Sequence, residues 1–317
     1  MSIMNKTRGS VLVTGGAGFI GSHLVPRLLE LGHSVTVLDN LSTGKLENLD
    51  GVVDHPKFMF RRGDILDKTI LQDVFDGVDS VIHLAALIDI SASVADPVQN
   101  HEVNVDGTFN MLHASIKHNA KKFVFASSTA VYGDAKTLPL QENSALNPIS
   151  PYAASKIAGE AYCSAFASCF GLETTVLRFF NIYGKRSENS PYSGVITKFL
   201  REIISDEALT IDGDGEQTRD FVYVNDIVTA VVSTLEHEGL KGEVFNVCTG
   251  VPTSVNQLAA TLKTVAGKSP NVKYGPARLG DIRSNYGDPA KAAKNLGFRA
   301  TVDLTKGLQI LFKEFKK

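Results

Sequence analysis

A serine, a tyrosine and a lysine are spaced in a way that suits removal of a proton from a hydroxyl group. Tyr152 and Lys156 are four residues apart in a stretch of helical periodicity, so their side chains share one helix face. Ser128 ends an apolar stretch that is typical of a strand. A tyrosine phenol has a pKa of about 10, but a neighbouring ammonium stabilises its phenolate. We therefore predict that Tyr152 is a general base, assisted by Lys156 and Ser128.

A glycine turn near the N-terminus predicts the element that would position these groups. It follows the apolar residues 11–13 and satisfies two spacings, G-x-G-x-x-G (Gly16, Gly18, Gly21) and G-x-x-G-x-x-G (Gly15, Gly18, Gly21). In such a turn, backbone N–H groups approach a pyrophosphate at a helix N-terminus. The turn predicts a dinucleotide site.

A second strand, 34–38, ends at Asp39, eighteen residues beyond the last glycine of the turn. A carboxylate at this place accepts hydrogen bonds from ribose hydroxyls and repels a 2′-phosphate, which favours NAD over NADP. The two strands and the intervening helix predict a right-handed βαβ unit.

The rest of the chain continues the alternation of strands and helices up to about residue 184 and then becomes richer in turns. This predicts a Rossmann-type doubly wound parallel sheet of the α/β class, with a smaller mixed α/β substrate-binding domain. We expect the NAD-binding domain to comprise residues 1–184 with returning segments near 221–250. Residues 185–317 are expected to form most of the substrate-binding region, interleaved with it. The further strands are expected at 58–62, 81–86, 122–128, 174–180 and 244–248, and the helices at 19–31, 97–119, 151–170, 224–237, 254–267 and 304–317.

Two polar residues at strand ends have alternative interpretations. Asp64 either holds the adenine amine of a dinucleotide or caps the helix that follows Asp67. His83 lies in a buried apolar strand and is more typical of a hydrogen-bonded core histidine than of a catalyst.

Two arginine sites follow far along the chain. Arg219 comes after a glycine turn, and Arg278 is one of the cations of residues 278–283. Arginine forms bidentate bonds to phosphate, so the two together favour a second, diphosphate-bearing ligand beside NAD. Each alone is typical of a solvated surface charge.

Composition narrows the class of protein. The 317 residues carry a formal net charge of −2, which gives no electrostatic footprint for nucleic acid or an anionic membrane. No apolar run is long enough to span a membrane and no secretory h-region opens the chain, so we expect a cytoplasmic protein. Cys163, Cys169 and Cys248 suggest neither a disulfide framework nor a metal site, and we expect all three to be buried.

Four motifs in register support a family resemblance: Thr14-Gly15-x-x-Gly18-x-x-Gly21, Tyr152-x-x-x-Lys156, Arg178-Phe179-Phe180-Asn181 and Thr218-Arg219-Asp220-Phe221. Together they cover almost the whole chain, which resembles the extended short-chain dehydrogenase/reductase family and, within it, the UDP-glucose 4-epimerases. In those enzymes NAD stays bound while a sugar 4-hydroxyl is oxidised to a 4-keto sugar and reduced again on its opposite face.

The resemblance also implies roles for individual residues. Tyr152 would be the base, Lys156 would bind the nicotinamide ribose, and Ser128 would hydrogen-bond the sugar. The implied NAD-binding residues are Gly15, Gly18, Phe19, Ile20, Gly21, Asp39, Asn40, Asp64, Ile65, Leu84, Ala85, Ala86, Asn104, Tyr152 and Lys156. The implied substrate-binding residues are Ser128, Tyr152, Asn181, Val195, Arg219, Arg278 and Asp281.

The segment after Ser128 separates related reactions. The similar 4,6-dehydratases carry Asp-Glu where this chain has Thr129-Ala130, and the UDP-glucuronate decarboxylases carry Glu in place of Ala130. Elimination and decarboxylation need that carboxyl group. Its absence favours redox-neutral epimerisation.

Other positions leave the substrate open. Asp212 stands where relatives usually have an aromatic residue against uracil, and Ile88-Asp89-Ile90 replaces more polar residues. At the position associated with N-acetylated sugars, Asn285 is not bulky, so a UDP-GlcNAc/UDP-GalNAc epimerase is one alternative. Arg283 leaves a UDP-glucuronate epimerase as another.

Two further expectations follow from the resemblance. A homodimer is expected through helices 99–119 and 152–170. A non-catalytic NAD-sensing module is the alternative from another class, but a sensor has no need of the set Ser128, Tyr152 and Lys156. The presence of that set favours an enzyme.

Overall fold

The computed structural model describes residues 9–187, 194–277 and 282–316. Its strands are β1 (Ser10–Thr14), β2 (Ser34–Asp39), β3 (Phe58–Arg62), β4 (Ser80–His83), β5 (Lys122–Ser128), β6 (Glu173–Phe179), β7 (Asn181–Tyr183), β8 (Leu209–Asp212), β9 (Thr218–Arg219), β10 (Phe221–Tyr223), β11 (Glu243–Val247), β12 (Thr253–Ser254), β13 (Val272–Gly275) and β14 (Ser284–Asn285).

The α-helices are α1 (Gly21–Glu30), α2 (Lys68–Val74), α3 (Ile90–Ala95), α4 (Pro97–His101), α5 (Gly107–Lys117), α6 (Pro151–Phe170), α7 (Val195–Ile204), α8 (Val224–Glu236), α9 (Val255–Ala266), α10 (Ala290–Leu296) and α11 (Leu304–Phe315). Short 3₁₀ turns span Leu46–Leu49 and Thr129–Tyr132. Within these residues, no helix is both long and apolar enough to cross a membrane.

Seven strands form one parallel sheet in the order β11-β6-β5-β4-β1-β2-β3. β1 pairs with β2 on one side and β4 on the other, so the chain reverses its direction of winding at this strand. A crevice opens outside the carboxyl ends of the strands at such a switch point. The Rossmann-type fold predicted from the sequence is confirmed.

Helices cover both faces of this sheet, as the continuous apolar character of its strands requires. On one face Leu24 and Leu28 of α1 belong to the same buried cluster as Ile227 of α8. On the other, Met111 of α5 and Phe166 of α6 share a second cluster. The sheet is therefore a rigid support for the side chains at its strand ends.

The later part of the chain builds three small sheets, β10-β7, β12-β9-β14 and β13-β8. Their core includes Phe199 of α7, Leu258 of α9 and Leu308 of α11, all fully buried. Because β7 directly follows β6 in the chain, this second layer is tied to the carboxyl end of the parallel sheet.

The expected helix 97–119 is interrupted. A π-helical segment, Glu102–Asp106, separates α4 from α5 and carries the buried Asn104. Short π-helical segments inside α-helices are frequent at functional sites. This one places Asn104 against the loop that follows β4.

The expected burial of all three cysteines is wrong for one of them. Cys163 and Cys248 are buried, whereas Cys169 is exposed. Cys163 shares the inner face of α6 with Phe166 and Ala167, and Cys169 falls on the outer face. The helix ends at Gly171 with φ 76°, as its sequence predicts.

Candidate active site

A cleft of about 1650 Å³ lies at the carboxyl ends of the parallel strands and extends to the small sheets. It brings together nearly all the predicted site residues that the structure describes. Those lining it are Gly15, Gly18, Phe19, Ile20, Gly21, Asp39, Asn40, Asp64, Ile65, Leu84, Ala85, Ala86, Ser128, Tyr152, Lys156, Asn181, Val195 and Arg219. Arg278 and Asp281 lie outside the described residues.

The glycine turn between β1 and α1 forms one end of the cleft. Gly15 has φ 68°, and a Cβ there would lie 2.8 Å from the backbone nitrogen of Ala85. At Gly21 a Cβ would lie 2.5 Å from the Cα of Gly16. The turn can pack this closely only with glycines, and it leaves the start of α1 open to the cleft. This cradle fits a dinucleotide pyrophosphate.

Asp39 ends β2 beside the glycine turn and is 7% exposed. Its Oδ2 accepts a hydrogen bond from the Ala17 N–H (2.9 Å), and its Oδ1 accepts one from the Leu41 N–H (2.8 Å). Burial raises the pKa of Asp39, and the two N–H donors oppose that shift. The carboxylate is thus fixed to the turn with an edge in the cleft, where a ribose hydroxyl can donate to it.

Asp64 follows β3 and also lines the cleft. Its Oδ2 accepts from the Asn40 amide (2.8 Å), and its Oδ1 accepts from the Leu66 N–H (2.9 Å). The alternative that Asp64 caps the following helix is wrong, because the side chain of Asp67 caps α2 through the Thr69 and Ile70 N–H groups.

Asn104 does not line the cleft. The Leu87 N–H donates to its Oδ1 (2.8 Å), while its amide donates to the Leu87 carbonyl (2.8 Å) and the Ser155 hydroxyl (3.0 Å). It is 2% exposed. Asn104 therefore holds the wall of the cleft in place from behind.

His83 is hydrogen-bonded in the core, as expected from the sequence. Its Nδ1 lies 2.8 Å from the Thr14 hydroxyl and its Nε2 lies 3.1 Å from the Thr108 hydroxyl. Burial, with a smaller contribution from the charge of Lys156, lowers the pKa of His83 to about 3. The imidazole is therefore neutral at physiological pH.

Ser128, Tyr152 and Lys156 all line the cleft. The Lys156 ammonium donates to the Ala126 carbonyl (2.9 Å) and lies 5.9 Å from the centre of the Tyr152 ring. Burial lowers the pKa of Lys156 to about 8, and the charge of Glu160 acts in the opposite direction. The hydroxyl of Ser128 accepts from the Ala130 N–H (3.1 Å) at the end of β5.

A buried ion pair beneath these residues was not predicted from the sequence. Arg178 of β6 donates to both carboxylate oxygens of Glu160, at 2.9 and 2.6 Å, and Ser127 also donates to Glu160. Because Ser127 lies between Ala126 and Ser128, this pair fixes the strand end that contacts Lys156. The spacing could have indicated only that Glu160 lies one helical turn from Lys156, because Arg178 is 18 residues further along the chain.

The far side of the cleft carries Asn181, Val195, Arg219 and Asn285. The Arg219 guanidinium donates to the Ile282 carbonyl (2.7 Å). Asn285 is 4% exposed, and its Oδ1 accepts from the Thr129 hydroxyl (2.9 Å). Arg283 instead forms a surface ion pair with Asp214 (2.7 Å) and is not among the described residues that line the cleft.

The positions that depart from the resemblance also face the cleft. Ile88, Asp89, Ile90 and Asp212 all line it. Asp89 caps α3 by accepting from the Ala92 N–H (2.8 Å), so its carboxylate is committed to that helix.

Comparisons with known proteins agree with this arrangement. Residues 11–248 match the model of the NAD dependent epimerase/dehydratase family. A putative UDP-glucose 4-epimerase of Methanocaldococcus jannaschii is 41% identical over 301 residues, covering 94% of this chain and 96% of that protein.

Solved structures of sugar-nucleotide epimerases also superpose on this chain. A UDP-N-acetylglucosamine 4-epimerase of Methanobrevibacter ruminantium, in complex with UDP-N-acetylmuramic acid, superposes with a TM-score of 0.93 at 38% identity, covering 98% of this chain and 99% of the other. A UDP-glucose 4-epimerase of Thermotoga maritima, with UDP-glucose, gives 0.91 at 40% identity, covering 97% and 98%. A UDP-glucuronic acid 4-epimerase of Bacillus cereus, with its UDP-sugar and NAD, gives 0.88 at 31% identity, covering 97% and 99%.

The parallel sheet, the glycine turn and the cleft define a Rossmann-type dinucleotide-binding enzyme. The chain belongs to the NAD-dependent epimerase/dehydratase family, part of the extended short-chain dehydrogenases/reductases, and its cofactor is NAD.

Proposed function

We propose that this enzyme interconverts the C4 epimers of a UDP-hexose, UDP-glucose and UDP-galactose, through a 4-keto sugar with tightly bound NAD. The observation that carries this proposal is the wall beside Ser128, where the cleft is lined by Thr129 and Ala130. Neither residue offers the carboxyl group that elimination or decarboxylation needs. The residues next to Ser128 therefore favour oxidation and reduction at one carbon.

Each residue of the set has a distinct part in the proposal. Bound NAD supplies a reversible hydride acceptor. Tyr152 takes the proton of the sugar hydroxyl and later returns it, and the Lys156 ammonium favours its phenolate. Ser128 hydrogen-bonds the same oxygen, while Asn181, Val195 and Arg219 contact the sugar nucleotide, with Arg219 directed at its diphosphate.

The cofactor half of the cleft would consist of residues up to 184 with the returning segments near 221–250. There the cradle of Gly15, Gly18 and Gly21 would hold the NAD pyrophosphate, and Asp39 would hold the adenosine ribose. Residues 185–317 would supply most of the substrate half.

A second substrate is favoured by Asn285. Its side chain is short and fixed by Thr129, so the cleft wall has no bulky group at this position. The enzyme would then also convert UDP-GlcNAc to UDP-GalNAc. The glucuronate alternative receives no support from Arg283, because that side chain pairs with Asp214 at the surface.

Separate incubations with UDP-glucose, UDP-GlcNAc and UDP-glucuronate test the proposal, with each product identified by chromatography. We expect UDP-galactose from the first and UDP-GalNAc from the second. A pentose product from UDP-glucuronate, or a 4-keto-6-deoxy sugar from UDP-glucose, would contradict the proposed reaction.

We also propose that the protein forms a homodimer through α5 and α6. Exposed aromatic side chains of α5 and α6 lie together: Phe109 (39% exposed) contacts Tyr162 (38%) and Phe166, and Phe170 (58%) contacts Phe166. A second copy packed on these helices would remove this apolar surface from water.

A further inference from the structure

A buried carboxylate lies behind the substrate half of the cleft. Asp220 is completely buried and follows Arg219 in the chain. Its Oδ1 accepts from the N–H (2.9 Å) and the hydroxyl (2.6 Å) of Thr249. Its Oδ2 accepts from the N–H groups of Gly250 (2.8 Å) and Gly287 (3.4 Å). One side chain therefore joins three separate segments of the chain.

Two of these segments, those of Asp220 and Gly287, lead to residues that line the cleft. Asp220 itself lies between Arg219 and β10, and its backbone carbonyl accepts from the Asn181 N–H (2.9 Å). Gly287 lies two residues after Asn285, whose strand β14 pairs with Arg219 of β9. Asp220 is thus joined to Arg219 by a peptide bond and to Asn181 by a backbone hydrogen bond. Its contact with Gly287 places it two residues from Asn285.

The backbone that donates to Asp220 at Gly287 is itself closely packed. A Cβ at Gly287 would lie 2.6 Å from the Phe180 ring and 2.7 Å from the Cys248 sulfur. Burial raises the pKa of Asp220, and the bonds from Thr249, Gly250 and Gly287 oppose that shift. These donors satisfy both oxygens of the carboxylate. In an asparagine at this position, the NH₂ group would face N–H donors and could not accept their hydrogen bonds.

We propose that Asp220 is a positioning residue for the sugar nucleotide. Its carboxylate fixes the segments of Thr249, Gly250 and Gly287 against the backbone next to Arg219, and that backbone holds Asn181 and pairs with Asn285. The inference rests on the proposed function for the identity of the substrate. The glycine cradle proposed for NAD contains none of the residues that Asp220 contacts, so we expect NAD binding to be independent of Asp220.

The chain offers a matched control, Asp226. It is 3% exposed, six residues further on, and accepts from the N–H and hydroxyl of Thr301 and from the N–H of Val302. Its chemistry repeats that of Asp220, but neither it nor its partners line the cleft. Replacing either aspartate with asparagine therefore removes a buried carboxylate. Only the replacement of Asp220 would also disturb residues that line the cleft.

The test compares Asp220→Asn with Asp226→Asn in the NAD-containing enzyme. For Asp220→Asn we expect KM for UDP-glucose to rise about tenfold or more with kcat changed less than about threefold. We expect Asp226→Asn to lower the melting temperature with KM unchanged, and both variants to retain NAD. A KM that changes no more in Asp220→Asn than in Asp226→Asn would overturn the proposal.

Two further measurements separate the possible failures. If Asp220→Asn does not fold, Thr249→Val removes one donor to the carboxylate, and an unchanged KM in that variant also overturns the proposal. Calorimetric titration with UDP needs no turnover: binding weakened about tenfold in Asp220→Asn alone supports positioning even if UDP-glucose is not the substrate. Equal UDP affinity in the two Asn variants contradicts it.

Discussion

Lys156 is both buried and charged, two properties that a residue rarely has together. It is 4% exposed, yet its ammonium has a carbonyl partner and two aromatic rings nearby, with the Phe125 ring centre at 4.9 Å. Burial lowers its pKa to about 8, so it is charged at neutral pH although the charge is costly. A poorly solvated cation stabilises a neighbouring phenolate more strongly than an exposed lysine does.

Tyr152→Phe removes the proposed base and keeps the ring. We expect kcat to fall by at least about 100-fold, the lower range for general acid–base catalysis, with bound NAD retained. Turnover of UDP-glucose and the NAD released by heat denaturation measure the two effects. Tyr162→Phe on the same helix is the control and should keep wild-type turnover. Full activity of Tyr152→Phe would show that another group is the base.

The pKa of Lys156 predicts a pH dependence of stability. Between pH 8 and 10.5 the unfolded lysine binds a proton that the folded one does not, so the free energy of unfolding rises with pH. Relative to Lys156→Met, the wild type should gain up to about 3 kcal/mol over this range, at 1.36 kcal/mol per pKa unit. Urea unfolding of both proteins, freed of nucleotide, measures the difference. Parallel stability curves would contradict the assignment.

At the scale of elements, β5, β6 and α6 form the rigid part of the site. The ion pair of Glu160 and Arg178 is almost fully buried, with 7% and 4% of the side chains exposed. It joins helix to strand directly below the residues that would contact the sugar. The other critical element is the turn between β1 and α1, which is built by close backbone contacts.

Gly15→Ala tests that turn. The residue has φ 68°, and its Cβ would lie 2.8 Å from the Ala85 nitrogen, so the turn must move. We expect NAD affinity to fall at least about tenfold. Gly77→Ala is the control, because Gly77 has φ 66° and nothing within 4 Å of the new Cβ. It should cost about 1–2 kcal/mol of stability and leave NAD affinity unchanged. Equal NAD affinities would rule out the cradle.

At the scale of the whole molecule, the cleft separates two layers with different tasks. The parallel sheet presents the proposed cofactor cradle and the proposed base, while the small sheets present most of the groups proposed for the sugar nucleotide. The apolar faces of α5 and α6 lie outside both layers, so association through them would leave the cleft open to substrate.

Phe109→Glu tests the proposed dimer. Burying the new carboxylate in the dimer interface should cost more free energy than the interface contributes to association. The variant should therefore sediment as a monomer at micromolar concentration. Ile310→Glu on α11 is the control, because Ile310 has a similar exposure of 37% and should leave the dimer intact. A wild-type monomer, or a dimer that survives Phe109→Glu, would contradict the interface.

The sequence by itself determined the sheet, the glycine turn and the Tyr152–Lys156 pair, since these depend on local periodicity and on spacings within one element. It missed the π-turn around Asn104, the exposed side of Cys169 and the surface pairing of Arg283. Only the tertiary structure decided these, and it alone joined Glu160 to Arg178 and Asp220 to Thr249. The reason is physical: such partners lie 18 and 29 residues apart. Their contact exists only because the folded chain excludes water and brings distant helices, strands and loops together.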